Sequence, residues 1–302
     1  MSARLGRAVR TWSAIVGLAA GLAGAGAGRA QQRVEVPSLN RAQGVALQLP
    51  GHWFASPEPG RRPAVLMLHG CGGAVDAQGR LVPRWVEQAA LFQAEGWHVL
   101  VLDSFTARGS RQICTVPVGS RSITQQQRRR DALGALQWLA GQPSVDAARL
   151  ALVGWSNGGS TVLAATNLAH PEVAAAPVRP RAAVAYYPGC ETERQRGHAP
   201  ATALMLQVGS DDDWTPAAPC IALVAEAIAD PVPGSAAPRP LITVHAGAHH
   251  GFDGAGPVRL RTDVPNGARP GAGVHVGGQP EARQRARQEV QDFLRRWLQA
   301  GG

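Results

Sequence analysis

The sequence predicts an α/β fold: a mostly parallel β-sheet with helices on both faces, in a single domain over residues 31–302. Three observations carry this. Short, almost wholly apolar runs recur along the chain; each leads through a loop into a segment of helical spacing; and no internal repeat or long low-complexity linker divides the sequence. A strand covered on both faces reads as an unbroken apolar run, because neither face meets water. Strands that alternate with helices pair in parallel.

The first such run spans residues 64–68 and ends in His69-Gly-Cys-Gly-Gly73. A helix over 85–95 follows, with Trp85, Ala89 and Phe92 at helical spacing and Gly96 as its stop. The next strand is 98–102, closing on Asp103. A helix over 128–140 buries Leu133, Leu136 and Leu139 and is capped by Gly141. Strand 150–153 then runs through a turn into a helix of small residues from Ser160. Further strands are expected at 182–185, 204–208 and 241–244. The last helix, 281–299, carries Ala282, Ala286, Val290, Phe293, Leu294, Trp297 and Leu298 on one stripe. Residues 254–280 are rich in Gly and Pro and read as a long surface loop, a class of segment that is often functional.

Composition narrows the chemistry. All 30 basic residues are arginine, so routes that need a lysine are excluded: a pyridoxal Schiff base, or the lysine of a phosphate-binding loop. With 45% hydrophobic and 17% charged residues the chain is neither disordered nor collagen-like. The net charge of +9 raises nucleic acid as a partner, and the positions of the arginines argue against it. Arg128–Arg130 fall at a helix start, and Arg283, Arg285, Arg287, Arg295 and Arg296 on the polar side of the last helix, where a solvated face is expected.

Residues 1–30 read as a secretory signal peptide. Arg4, Arg7 and Arg10 precede an uncharged run, and small residues lead to a cleavage point after Ala27 or Ala30. A membrane anchor ranks second, because the run is short and diluted by Gly and Ala. Cleavage leaves 26 arginines against 21 acids, a net charge of +5. The expected location is periplasmic or secreted, with no membrane association after cleavage. Four cysteines, Cys71, Cys114, Cys190 and Cys220, suit an oxidising compartment, and none of their spacings resembles a zinc site.

Gly154-Trp-Ser-Asn-Gly158 matches G-x-S-x-G and sits between a strand and a helix. The turn is tight, so side chains at its glycines would clash, and the serine is lifted to the exposed end of the sheet. A serine hydroxyl is a weak nucleophile and needs a base, which in turn needs an orienting acid. In this architecture the chain order is Ser, acid, His. The acid comes from Asp211-Asp-Asp213, with Asp212 preferred and Asp213 its rival; an aspartate there also suits the cap of a following helix. The base is His250, with His249 second. The oxyanion donors are the backbone N–H groups of Asn157 and Cys71. His245, His249, His250 and Asp253 show no familiar ligand spacing, so neither metal nor cofactor is expected. His52, His98, His170, His198 and His275 read as surface or satisfied core residues.

Together, residues 63–73, the Gly-Trp-Ser-Asn-Gly elbow, the Gly-x-x-Asp with Trp-Thr-Pro, and His250-Gly-Phe252 resemble the dienelactone hydrolase family of α/β-hydrolases. The resemblance covers residues 34–299. It implies an Asp–His pair and a Ser or Cys nucleophile, matched by Ser156, Asp212 and His250. The namesake enzymes are cytosolic and carry cysteine at the elbow. Serine and a signal peptide here favour a broader exported carboxylesterase.

In that fold the loops after neighbouring strands lie side by side, which implies the pairs Cys71–Cys114 and Cys190–Cys220. Only about fifteen residues separate Pro188 from the next strand, too few for a large lid domain. The site is therefore expected to be open, suited to small or extended esters, with Trp155 and Trp214 lining it. Two alternatives stand beside a serine esterase: a peptidase of the same fold, and a non-catalytic exported binding protein. The sequence leaves the oligomeric state open.

Overall fold

The computed structural model describes residues 1–2, 31–231 and 237–299; most of the proposed signal peptide lies outside the described residues. The described residues from 31 onward begin with a hairpin, β1 (Gln32–Ala42) and β2 (Val45–Phe54), which the apolar runs do not predict. Its two-residue turn places Gln43 and Gly44 at φ 50° and 82°, the left-handed geometry that matches the twist of a hairpin. Then come β3 (Arg62–Leu68), α1 (Pro83–Gln93) and β4 (His98–Leu102). Next are α2 (Gln125–Ala140), β5 (Val145–Trp155), α3 (Asn157–Thr166) and α4 (Pro171–Ala174). β6 (Ala182–Tyr186), α5 (Glu191–Gln195), β7 (Ala203–Gly209) and α6 (Ala217–Ala229) follow. The chain ends with β8 (Leu241–His245), the short pair β9 (Arg259–Arg261) and β10 (Val274–Val276), and α7 (Pro280–Leu298).

Eight strands form one sheet in the order β1-β2-β4-β3-β5-β6-β7-β8. All pairings from β4 to β8 are parallel, and the β1–β2 and β2–β4 pairings are antiparallel. Alternate residues of each central strand feed two cores. Met67, Val101 and Val153 pack with Trp85 and Phe92 of α1 and with Val290, Phe293 and Leu294 of α7. Leu66, Leu100 and Leu152 pack with Leu136 of α2, Leu163 of α3 and Leu223 of α6. This is the doubly covered sheet expected from the apolar runs. The segment 254–280, read as a loop, contains the β9–β10 hairpin.

The arginines of α2 correct the expectation of a solvated face. Arg128 is 1% exposed and Arg129 8%. α2 begins three residues earlier than its apolar spacing shows, because Thr124 and Gln127 form a capping box. That extra turn carries Arg128 beneath the loop after β3. On α7, Arg285 and Arg296 are exposed as expected, whereas Arg283 and Arg287 are half-buried against Glu87 of α1 and Arg295 against Glu95 just beyond it.

Candidate active site

Ser156 stands between β5 and α3 at φ 55° and ψ −116°. Such a conformation costs a non-glycine residue on the order of 1–3 kcal/mol and persists only where the surroundings enforce it. The enforcement is local. Ser156 N donates to Tyr186 O at 2.8 Å, and Ser160 N to Ser156 O at 2.8 Å. A Cβ on Gly154 would overlap the Gly158 carbonyl, and one on Gly158 would overlap the Leu68 carbonyl. Glycine is thus required on both sides of the serine.

Ser156, His250 and Asp212 lie in one hydrogen-bonded line. Ser156 Oγ is 2.9 Å from His250 Nε2, and His250 Nδ1 is 2.8 Å from Asp212 Oδ2. A carboxylate only accepts, so Nδ1 carries the proton and Nε2 presents its lone pair to the serine hydroxyl. Asp212 is 4% exposed and held in place, its Oδ1 accepting from Trp214 N at 2.9 Å and Thr215 N at 2.8 Å. Thr215 Oγ1 lies 3.0 Å from Asp212 Oδ2 and from Tyr187 O. The rings of Tyr187 and Trp214 flank His250, with centroids 4.6 and 4.7 Å away.

The rival residues point elsewhere. Asp213 Oδ2 meets His275 Nδ1 at 2.7 Å, and its Oδ1 accepts from His275 N at 2.8 Å. Burial opposes its ionisation, yet the hydrogen bonds from His275 hold its carboxyl below the usual range. Asp213 therefore ties the loop after β7 to β10. His249 Nδ1 faces Asp211 O at 2.9 Å.

The loop after β3 lies against the Ser156 turn: a Cβ on Gly70 would come within 3.3 Å of the Trp155 carbonyl oxygen and 3.4 Å of Ser156 Cβ. Cys71 is bonded to Cys114, and its carbonyl accepts from Ile113 N at 2.8 Å. The N–H of Asn157 is in the first turn of α3, where no intrahelical acceptor exists. His69 is fully buried beneath this loop, and burial with the nearby Arg128 charge lowers its pKa to about 3. Cys190 is bonded to Cys220 and joins α5 to α6.

A cleft of about 410 Å³ opens over Ser156 and Asn157. One wall is Val118, Arg121, Ile123 and Asn266, tied together where Val118 N donates to Asn266 Oδ1 at 2.9 Å. Gly189, Cys190, Glu191 and Pro219 form another. Trp214 lines the cleft as expected. Trp155 does not: it is 1% exposed, stacks on Tyr186, and donates from Nε1 to Asp253 Oδ2 at 2.9 Å.

That aspartate anchors a buried polar cluster which the sequence reading missed. Asp253 also accepts from Tyr187 Oη at 2.7 Å and from Arg84 at 2.7 Å. Tyr187 sits at φ 35°, and burial pushes its hydroxyl pKa well above the ordinary value. Arg128 was also missed as a site residue. An arginine triplet in sequence carries no sign of which member turns inward.

The profile of the dienelactone hydrolase family matches residues 49–298. No curated protein sequence matches the chain significantly. Solved structures share its fold. A dienelactone hydrolase-like promiscuous phosphotriesterase from metagenomic libraries is 19% identical with a TM-score of 0.61, covering 89% of this chain and 100% of its own. Esterase 2 of Thermogutta terrifontis, phosphorylated by paraoxon, is 15% identical with a TM-score of 0.58, covering 89% and 95%. Dipeptidyl peptidase 4 of Porphyromonas gingivalis is 17% identical with a TM-score of 0.58, and the match spans 89% of this chain but only 35% of the peptidase. On its sequence profile, over an α/β-hydrolase sheet, the chain belongs to the dienelactone hydrolase family.

Proposed function

We propose that the chain is an exported serine hydrolase that cleaves carboxylic esters through an acyl-enzyme. The observation that carries this is the line Ser156–His250–Asp212, with both contacts under 3 Å and Ser156 lining a cleft. Ser156 Oγ attacks the ester carbonyl carbon as its proton passes to His250 Nε2. The carbonyl oxygen becomes an oxyanion and receives the N–H groups of Cys71 and Asn157. Collapse breaks the bond to the alcohol oxygen, which takes the proton from His250. Water then repeats the sequence on the acyl-enzyme, releasing the acid and restoring Ser156. Asp212 holds the ring and balances its charge while it is protonated.

The substrate is a small-molecule ester. The segment from Pro188 to β7 contains only the five-residue α5, which leaves the cleft without a lid domain. Export, with residues 1–30 as signal peptide and 31–302 as one domain, is supported by the two disulfides. No helix among the described residues is long and apolar enough to cross a membrane. The test is fluorophosphonate labelling together with turnover of a chromogenic short-chain ester. Both are expected from the parent protein and neither from Ser156→Ala. Labelling that persists in the variant rejects the nucleophile. A parent that binds esters without turnover would instead be a binding protein, and one that cleaves only peptides a peptidase.

A further inference from the structure

Arg128 is the largest fully buried charged side chain among the described residues, and its partners are unusual. Its Nη1 donates to Asn157 Oδ1 at 2.6 Å, and its Nη2 to the His69 carbonyl at 2.8 Å. The guanidinium carbon lies 5.1 Å from the centroid of the Phe105 ring. Its Nε has no acceptor among the described residues. It forms no ion pair there either. The nearby Asp131 is engaged by Arg108 at 2.8 Å and by Ser38 Oγ at 2.6 Å, and Asp103 accepts from Phe105 N and Thr106. Burial draws its pKa down to about 10, against the pull of Asp131 and Asp103. A desolvated cation without a counter-ion is costly, so stability alone does not explain it.

Its two main partners explain it better. Asn157 follows the nucleophile, and His69 starts the loop that carries Cys71, so the fork bridges the two segments that bear the oxyanion donors. On the reading of the site given above, we propose that Arg128 is a positioning residue. It fixes the spacing of the Cys71 and Asn157 N–H groups, and its charge is balanced when the oxyanion forms between them. The planar fork matters because one guanidinium reaches both segments at once, which a single ammonium does not.

The test compares Arg128→Gln, Arg128→Lys and Asn157→Ala in the full chain. Fold is monitored by near-UV circular dichroism and melting temperature. Arg128→Gln is expected to lower kcat about 100-fold, the scale of a lost oxyanion donor, with KM changed less than about threefold. A boronic acid adds Ser156 Oγ to boron, passes the serine proton to His250, and forms a tetrahedral anion. Its affinity should fall by the same factor as kcat/KM, which a merely structural defect would not reproduce. Arg128→Lys keeps the charge and should fall between Gln and the parent. Asn157→Ala keeps its N–H and loses the tether. It should cost about tenfold, and Arg128→Gln with Asn157→Ala should be no worse than Arg128→Gln alone. If Arg128→Gln does not fold, Asn157→Ala and Arg128→Lys carry the test. A folded Arg128→Gln whose kcat and boronate affinity lie within threefold of the parent overturns the proposal. So do an Asn157→Ala of parental kcat and fully additive losses. Where the parent is active and Ser156→Ala is dead, such results reject only the role of Arg128. An inactive parent rejects the esterase reading and this proposal with it.

Discussion

Asp212→Asn separates the two candidate acids. An asparagine there can keep its Oδ1 on the Trp214 and Thr215 N–H groups, and its Nδ2 then faces His250 Nδ1 across 2.8 Å. Two donors cannot share that contact, so the ring must move its proton to Nε2. That nitrogen is 2.9 Å from Ser156 Oγ, where the lone pair was needed. Flipping the amide to avoid this would turn Nδ2 onto two backbone donors, at about 1–3 kcal/mol for each group left unpaired. The loop therefore locks in the wrong tautomer. The expected loss in kcat is about 10,000-fold, or about 5.4 kcal/mol of barrier. Asp213→Asn alters only the tie to His275 and should leave kcat within about threefold. Initial rates on a chromogenic ester, normalised to titrated active sites, decide it. A loss in Asp213→Asn equal to that in Asp212→Asn would refute the assignment, as would an Asp212→Asn retaining a tenth of parental kcat.

Two further predictions concern stability. Folded His69 and His198 stay neutral down to about pH 3 and about 4 through burial, whereas the unfolded chain protonates both near 6.5. The unfolded state binds more protons in that window, so stability should fall as pH drops below 6.5, by about 2 kcal/mol per unit between roughly pH 6 and 4.5. Above pH 7 these residues add nothing. Urea midpoints that stay flat from pH 7 to 5 would contradict this. Asp253→Ala takes the shared acceptor from Arg84, Tyr187 and the Trp155 indole at once, leaves Arg84 and Tyr187 only their mutual hydrogen bond of 2.6 Å, and should cost about 3 kcal/mol. The figure is at the low end for a broken buried pair because the Arg84 side chain is 32% exposed. A calorimetric melting temperature within a degree of the parent would count against the cluster's role.

The parts of the fold legible in the sequence were those buried on both faces. β3, β4, β6 and β7 are continuous apolar runs and announce themselves. β1 and β2 do not: β1 is the edge strand, the first half of β2 beside it is also half open to water, and such segments mix polar and apolar residues, as in Arg33-Val-Glu-Val36. The line of Ser156, Asp212 and His250 was legible because each follows a strand in a fixed chain order and carries a short local pattern. Arg128, Tyr187 and Asp253 had no such pattern. Their placement depends on which elements meet, and the composition of α2 alone argues for an exposed arginine.

The walls of the cleft come from separate loops, and two of them start beside a disulfide. Cys114 precedes the segment that supplies Val118 and Arg121, and Cys190 adjoins Glu191 and Glu193. Each crosslink anchors one end of its wall to a second segment of the chain. Such walls are interchangeable parts: either can lengthen, shorten or change character without shifting the serine beneath. On the proposed function, a change of ester preference would be built first in these two stretches, with Ser156, His250 and Asp212 left in place.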